Sequence, residues 1–364
     1  MTELTDVAVT KYKAAAEIAK GALSEVIKAC VPGAKLIDLN KIGDDYMTEA
    51  ASKLYTKGKT KLEEKDKGIA FPTCVAVKEA LCHVHPLPSD PEAATSLSSG
   101  DLVRIALSAH IDGFIAQTGH TLVVGATKDS PVTGRKADVM TAAHTACEVA
   151  IRMIKDGNKT TDLYSAVNTV LKSFECVYVE GMVCGQIAQN KLETGKQICF
   201  APVEGQKNKE ETFAVGEAYS IEMLLSTGEG KPKKTGGRGN VFRRDDSVVY
   251  KLKMSNSRAV FSEISTKFGV MAFGLERLDE PVKSKMGMKE CIEHDLVFGF
   301  EPLYEKPGCD VAHLVFTVLL MPQGPLKLTS YPWDETLVSS DKKVQDSAIV
   351  DLLKTSVRPK KAKK

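Results

Sequence analysis

The chain has 364 residues, of which 43% are hydrophobic and 26% charged, and its formal net charge is only +2. This composition is ordinary for a soluble globular protein and allows one large domain or two. No apolar run is long enough to cross a bilayer, and the first residues lack the basic-then-apolar order of a signal peptide. We therefore expect a cytosolic or nuclear protein without membrane insertion.

Nine cysteines are scattered along the chain, with no Cys-x-x-Cys pair and an odd total. A zinc site or a disulfide framework would place cysteines at regular spacings. We expect reduced thiols that are buried and pack as small hydrophobic side chains.

Apolar periodicity predicts helices and strands in an order typical of a mixed α/β chain. Helices are expected at 5–31, 38–56, 135–156 and 160–173, and strands near 102–124 and 217–226. Asp112 and Gly113 lie between two alternating runs and favour a tight hairpin turn. Short helices are expected between 255 and 300, followed by a second hairpin that turns at 307–310.

Two segments of the chain, 24–39 and 148–163, resemble each other. When Gly33 is aligned with Gly157, each segment contains a helix end, a glycine stop and the start of a new helix. The repeat predicts a fold of two related halves.

A second match supports this duplication. The stretch GDLVRIA at 100–106 resembles GEAYSIE at 216–222, so Ala106 in the first half takes the position of Glu222 in the second. Two matches in the same order predict a pseudo-symmetric α/β fold.

Basic residues are concentrated in a few stretches although the net charge is small. The stretch 228–244 combines glycines and cations with one aromatic ring: Lys231, Lys233, Lys234, Arg238, Phe242, Arg243 and Arg244. Cations on such a loop can contact phosphates, while Phe242 or an arginine plane stacks on an unpaired base. The alternative is a flexible segment that only keeps the protein soluble.

Further cations complete the candidate nucleic-acid-binding set. They lie in the predicted short helices, near the amino terminus and in the final stretch RPKKAKK: Lys283, Lys285, Lys289, Lys11, Lys13, Arg358, Lys360, Lys361, Lys363 and Lys364. A cationic arm such as this final stretch suits nucleic acid or nuclear import.

Several multi-residue blocks together resemble the methionine aminopeptidase-like family. These blocks are GIAFPT (68–73), GDLVRI (100–105), YVEGM (178–182), GEAYSIE (216–222), STGEG (226–230) and FTVLLMPQGP (316–325). Three more resemble the proliferation-associated, ErbB-receptor-binding branch of that family: VTKYK (9–13), VTGRKADV (132–139) and SRAVFSE (257–263).

The resemblance implies a pita-bread fold, which is an α/β (α+β) architecture of two pseudo-symmetric halves. One domain would span residues 1–340, with halves at about 5–125 and about 130–330 and a helical insert at about 255–300 similar to that of the type II aminopeptidases. Residues 341–364 would form a C-terminal helix and a basic tail.

Active members of this family hold two divalent metals with two Asp, one His and two Glu side chains. The positions that the resemblance assigns to these ligands hold Ala106, Gln117, Met182, Glu222 and Val315, and His83 takes the place of a substrate-contacting histidine. Methyl, isopropyl and thioether groups cannot hold a hard cation. We therefore expect no bound metal at these positions, no cofactor and no catalysis. A substituted metal site made by His83, His85, His110 and His120 is a less favoured alternative, since His110 is expected to face solvent.

The resemblance also implies a function. Members of the proliferation-associated branch bind structured RNA and pre-ribosomal or ribosomal large subunits, in the cytoplasm and in the nucleus or nucleolus. We expect a non-catalytic protein that binds such RNA in ribosome biogenesis, translation or growth regulation. Three alternatives stay open: an active metallopeptidase that relies on Glu222, a protein-binding adaptor or transcriptional co-regulator, and a protein that binds structured DNA.

Overall fold

The computed structural model describes residues 4–206, 208–234 and 239–358. Its helices are α1 (Asp6–Ala29), α2 (Leu36–Ser52), α3 (Gly134–Met153), α4 (Thr160–Ser173), α5 (Ser255–Lys267), α6 (Pro281–Glu293) and α7 (Ser347–Lys354). Its strands are β1 (Lys67–Ala76), β2 (Ala80–Cys82), β3 (Leu102–Ile111), β4 (Phe114–Val123), β5 (Val177–Tyr178), β6 (Val183–Ile187), β7 (Gln197–Cys199), β8 (Ala218–Ser226), β9 (Lys233–Lys234), β10 (Val241–Arg244), β11 (Phe273–Gly274), β12 (Val297–Phe300), β13 (Leu303–Tyr304), β14 (Val311–Met321) and β15 (Gly324–Lys327).

A large antiparallel sheet runs through the molecule in the order β1-β3-β4-β14-β8-β6-β7, with β15 paired to β14 and β5 paired to β8. Helices α1 and α2 pack on its first half, and α3 packs on β8 and β14. The buried stripe of α1, which includes Tyr12, Ala15, Ala19 and Leu23, repeats every three or four residues and faces that sheet. Each half therefore has its own hydrophobic core.

The predicted hairpin forms as expected. Ile111 pairs with Phe114, and the two residues between them have positive φ angles, +52° at Asp112 and +75° at Gly113. A two-residue turn with this backbone matches the twist of the strands that it joins.

The duplication is visible in the hydrogen bonds that follow the first helix of each half. Gly33 has φ +89° and its N–H donates to the carbonyl of Leu97 at 2.7 Å. Gly157 has φ +84° and its N–H donates to the carbonyl of Phe213 at 3.0 Å. The two glycine stops therefore have the same backbone conformation and equivalent partners.

The second sequence match is equally clear in the structure. The N–H of Gly100 donates to the carbonyl of Val124, and that of Gly216 donates to the carbonyl of Leu320, each at 2.9 Å. These bonds begin the strand pairs β3–β4 and β8–β14, so Ala106 and Glu222 lie at equivalent positions of the two halves. The expected boundaries of the halves stay a prediction.

The helical insert is present, and its core extends beyond the predicted range of 255–300. Helices α5 and α6 pack closely at Gly287, where a Cβ atom would lie 2.8 Å from Val260. A small sheet, β11-β10-β12, completes the insert. Because β10 is its central strand, residues 241–244 belong to this ordered unit and not to a flexible loop.

The predicted second hairpin, turning at 307–310, is wrong. Strand β13 pairs with β2 and β9, whereas β14 pairs with β4, β8 and β15 in the large sheet. The turn at Gly308, with φ +83°, passes the chain from one sheet to another. Strand β14 is buried along almost its whole length, so neighbours on both sides outcompete the local strand.

Two other expectations are settled by burial. All nine cysteines lie in the described part of the chain as free thiols, and Cys309 is the one that is not fully buried. The predicted C-terminal helix is α7, which is capped by the Asp346 side chain and packs Ile349 into the core of the second half.

Among the described residues, no helix has the length and apolar character needed to cross a membrane.

Candidate functional site: a cavity between the two halves and a basic surface

A cavity of about 370 Å³ opens between strands of the two halves. Its walls include all five positions that the family resemblance assigns to metal ligands, together with His83: Ala106, Gln117, Met182, Glu222 and Val315. Pairing of the central strands explains this convergence. Ala106 lies opposite Gly119, Gly119 opposite Val315, and Val315 opposite Glu222, so one row of residues crosses β3, β4, β14 and β8.

Glu222 is the carboxylate of that row, and a histidine binds it. The Oε1 atom of Glu222 lies 2.6 Å from Nε2 of His313, a buried side chain two residues before Val315 on the same strand face. Burial alone would raise the pKa of Glu222, but the charge of His313 and this hydrogen bond outweigh it and lower the pKa below its usual value. Sequence reasoning missed His313, although its two-residue spacing from Val315 was a usable signal.

Gln117 is also engaged within the protein. The Ser220 hydroxyl donates to the side-chain oxygen of Gln117, and the backbone N–H of Gln117 donates to Thr317 Oγ1 at 2.8 Å. A neutral amide oxygen that already accepts a hydrogen bond is a poor ligand for a hard cation.

Arg104 adds a buried positive charge to the cavity wall. Its two terminal nitrogens donate to the carbonyls of Lys78, Ala80, Leu102 and Val311 at 2.6–3.3 Å. Burial lowers the pKa of this guanidinium to about 10, which still leaves it charged at neutral pH. Sequence reasoning did not single out Arg104, because an arginine in a strand of alternating residues is usually expected to face solvent.

The residues present do not fit a pair of divalent metals. Of the five positions, Glu222 alone supplies an anionic oxygen, and that oxygen is paired with His313. Alanine, valine and methionine supply no hard ligand, and Arg104 places a like charge on the same wall.

His83 lies in the wall as expected. Its ring packs between Phe71 and Phe300, and Nδ1 lies 3.2 Å from the carbonyl oxygen of Glu301. Burial lowers the pKa of His83, which favours the neutral ring. These contacts hold the imidazole as part of the wall.

The other histidines do not join His83. His110 was expected to face solvent, and that expectation is wrong: the side chain is buried and Nδ1 accepts the N–H of Gly113 at 3.3 Å. His120 packs against Tyr331. His85 lines a different groove. The substituted site made by four histidines is therefore not formed.

Several of the predicted nucleic-acid-binding lysines are exposed. They are Lys13, Lys231, Lys233, Lys234, Lys283, Lys285 and Lys289, and Arg358 is exposed as well. Three of them form surface ion pairs, which are Lys234 with Glu301, Lys283 with Glu280 and Lys289 with Glu293. Exposed pairs of this kind contribute little to stability and can exchange for phosphates.

Three residues of the 228–244 stretch are held inside the insert. Phe242 is only 8% exposed and packs in the core of the insert, because β10 pairs on both sides; it is therefore not available to stack on a base. Arg243 stacks on Phe298 with its guanidinium carbon 4.7 Å from the ring centre. Arg244 donates from Nε to the carbonyl of Gly269 at 3.0 Å. These arginines anchor the insert and are not cations of a free loop.

Among the remaining candidates, one lysine forms an ion pair within the protein and the others lie outside the described residues. Lys11 forms an ion pair with Asp112 and is largely buried, which removes it from an open basic surface. Arg238, Lys360, Lys361, Lys363 and Lys364 lie outside the described residues.

Comparisons with known proteins agree with this fold. The family model described as Metallopeptidase family M24 matches residues 10–251. The chain is 41% identical over 328 residues to ErbB-3 binding protein 1 of Solanum tuberosum, which covers 90% of this chain and 82% of that protein. It is 38% identical over 359 residues to a curved DNA-binding protein of Schizosaccharomyces pombe, which covers 98% and 92%. It is also similar to the solved structure of a thermophilic Arx1, with a TM-score of 0.90, 30% identity and coverage of 98% and 100%.

Fold and cavity together define an aminopeptidase-like protein, and the chain belongs to metallopeptidase family M24 with its pita-bread fold. Within that family the chain falls in the proliferation-associated, ErbB-receptor-binding branch. The resemblance carried by the sequence blocks is thereby confirmed.

Proposed function

We propose that this aminopeptidase-like protein is non-catalytic and binds structured RNA, in particular the RNA of pre-ribosomal or ribosomal large subunits. The observation that carries the non-catalytic part is the row Ala106, Gly119, Val315 and Glu222, in which a single carboxylate remains. Loss of even an outer-shell partner weakens a metal site about 10–100-fold, so the loss of most direct ligands abolishes it.

The RNA-binding part is supported by the exposed lysines of β9 and α6. Within the described residues, Lys233 and Lys285 are exposed and form no ion pair. Strand β9 pairs with β13, which follows β12 after two residues, and β12 contacts α6; from this connection we infer that the basic segment and the insert share one surface. Lysines on such a surface can neutralise phosphates, which provides affinity with little dependence on sequence.

The finer role belongs to the same proposal. As the family resemblance implies, the proposed role lies in ribosome biogenesis, translation or growth regulation, in the cytoplasm and in the nucleus or nucleolus. Selectivity for ribosomal RNA would come from its shape, because the base edges of double-stranded RNA lie in a groove that side chains cannot enter.

Sedimentation with large ribosomal subunits tests this proposal. The double variant Lys233→Glu/Lys285→Glu is compared with Lys128→Glu/Lys155→Glu, which makes the same charge change on exposed lysines outside β9 and α6. The first variant is expected to bind at least ten-fold more weakly and to reduce the slope of log K against log salt by about 2, because each lost phosphate contact reduces it by about 1. The second variant is expected to bind like the wild type.

Equal sedimentation of all three proteins would remove this surface from the proposal. If the protein instead keeps its partners after ribonuclease digestion in a pull-down, the adaptor alternative replaces RNA binding.

A second candidate is structured DNA, favoured by the 38% identity to a protein named for curved DNA binding. The same lysines would contact its phosphates. A competition assay with curved duplex DNA and a ribosomal RNA stem of equal length separates the two, since our proposal expects the RNA to win at physiological salt.

A further inference from the structure

A second groove, separate from the aminopeptidase-like cavity, is lined by α2, the segment after β2 and the turn at 275–277. Three metal-ligating side chains meet there: Asp44, His85 and Glu276. One ligand atom from each lies within 4.8 Å of the others, and Nε2 of His85 pairs with Oε2 of Glu276 at 3.1 Å, a contact that a bound ion would replace. None of the three is a position assigned to the metal ligands of the family.

The backbone of β1 orients His85 as metal sites orient their histidines. Nδ1 of His85 lies 2.8 Å from the carbonyl of Thr73, and the N–H that it donates there directs Nε2 towards the two carboxylates. A metal-ligating imidazole almost always donates its other nitrogen to such a carbonyl or carboxylate. The imidazole is therefore fixed in an orientation in which Nε2 faces the two carboxylates.

Asp44 is held by the same strand. It lies on the buried stripe of α2, and its Oδ1 accepts the N–H of Thr73 at 2.7 Å. Gly43 makes this approach feasible, because a Cβ atom there would collide with the Thr73 side chain. One carboxylate oxygen is thereby fixed by the backbone.

Glu276 reaches the cluster because residue 274 is glycine. A Cβ atom at Gly274 would collide with the Glu276 carboxylate, which occupies that space. The Glu276 side chain is 36% exposed, so the groove has an entry path for a small ion.

An unsatisfied oxygen lies beside the three ligands. Asn40 also lines the groove, one helical turn before Asp44, and only 2% of the residue is exposed. Its Oδ1 is buried and has no hydrogen-bond partner among the described residues. Buried polar atoms are nearly always paired, so this oxygen points to a missing ligand or water.

We propose that Asp44, His85 and Glu276 form a binding site for one Zn²⁺ ion. One imidazole nitrogen and two carboxylate oxygens are a donor set that Zn²⁺ accepts, and the two carboxylates balance its charge. A water bound to the ion and hydrogen-bonded to Asn40 completes the coordination. The ion joins α2 of the first half to the insert through Glu276, and so fastens the insert that carries Lys285.

Titration calorimetry of the full-length protein with zinc chloride alone tests the site. The wild type is expected to bind one equivalent. Glu276→Gln and Gly274→Ala are expected to weaken binding at least ten-fold, the first by removing a ligand and the second by displacing it. Glu49→Gln is the matched control, since Glu49 lines the same groove outside the cluster and pairs with Lys53.

Far-ultraviolet circular dichroism of the zinc-free proteins shows whether each variant is folded, and Gly274→Ala keeps the test available if a ligand variant does not fold. Three results would each overturn the proposal: no zinc binding by the folded wild type, unchanged zinc binding by folded Glu276→Gln, or binding lost in Glu222→Gln instead. Magnesium bound as tightly as zinc would also contradict it, because the imidazole favours zinc.

Discussion

Glu222 and His313 form a hydrogen-bonded acid–histidine pair in the cavity wall, joining β8 to β14 with 2.6 Å between Oε1 and Nε2. In an active relative, a carboxylate at this position would be a metal ligand. Here a histidine is instead the hydrogen-bond partner of the carboxylate.

The first prediction concerns the pH dependence of stability. Because the folded pKa of Glu222 is lowered, the stabilisation is complete above its unfolded value of about 4.3 and is lost as pH falls through the folded value. Glu222→Gln should lower the free energy of unfolding by about 1–3 kcal/mol at pH 7. Urea unfolding should show that this difference shrinks below pH 4, and a difference that stays constant down to pH 3 would contradict it.

The second prediction concerns turnover. The wild type should release no methionine from a Met-Ala-Ser peptide when Mn²⁺ or Co²⁺ is added in excess, because its cavity lacks the anionic ligands for two metals. The measurement is free methionine by mass spectrometry, with an active methionine aminopeptidase as the positive control. Methionine release that disappears in Glu222→Gln would establish the peptidase alternative.

The third prediction separates packing from RNA contact at Phe242. Phe242→Leu should destabilise the protein by about 1–2 kcal/mol, because the ring is buried in the core of the insert. Affinity for ribosomal RNA should stay within two-fold of the wild type at a temperature where both proteins are folded. A large loss of affinity without loss of stability would restore the base-stacking role.

The fourth prediction uses the two glycine stops. Gly33→Ala and Gly157→Ala should each lower the free energy of unfolding by about 1–2 kcal/mol, because both residues have a positive φ that alanine rarely adopts. A Cβ atom at either position would contact nothing within 4 Å, so the cost comes from the backbone alone. Gly33→Asn should cost less, since Asn tolerates the left-handed region. Thermal unfolding should show that the two alanine variants add. A cost at one stop alone would contradict their equivalence.

Sequence reasoning worked best where a local pattern and a repeated spacing agreed. The hairpin at Asp112–Gly113, the glycine stops and the equivalence of Ala106 with Glu222 all rest on backbone requirements that neighbouring residues express directly. It was less successful for His110, whose hairpin tip is covered by a distant segment: Asn190 donates its N–H to the carbonyl of Gly113 at 2.8 Å. No local pattern contains that contact.

The same limit applies to the basic stretch and the groove. Phe242 and its glycine-rich surroundings suggest a loop, but pairing with β11 and β12 from later in the chain makes the segment a buried strand. In the groove, Asn40 and Asp44 are polar residues on the buried stripe of α2, a signal that the sequence contains. Their partner Glu276 lies far along the chain, and only the fold brings it near.

The two-residue strand β13 supports the part of the proposed basic surface that lies on β9. It pairs with β2 from early in the chain and with β9, which carries Lys233 and Lys234. Pairings between segments so distant in sequence form late, because a long loop must close before any contact compensates its entropy. During synthesis, β9 therefore lacks its neighbour until residue 304 has left the ribosome, and we expect an incomplete chain to display no organised surface for RNA.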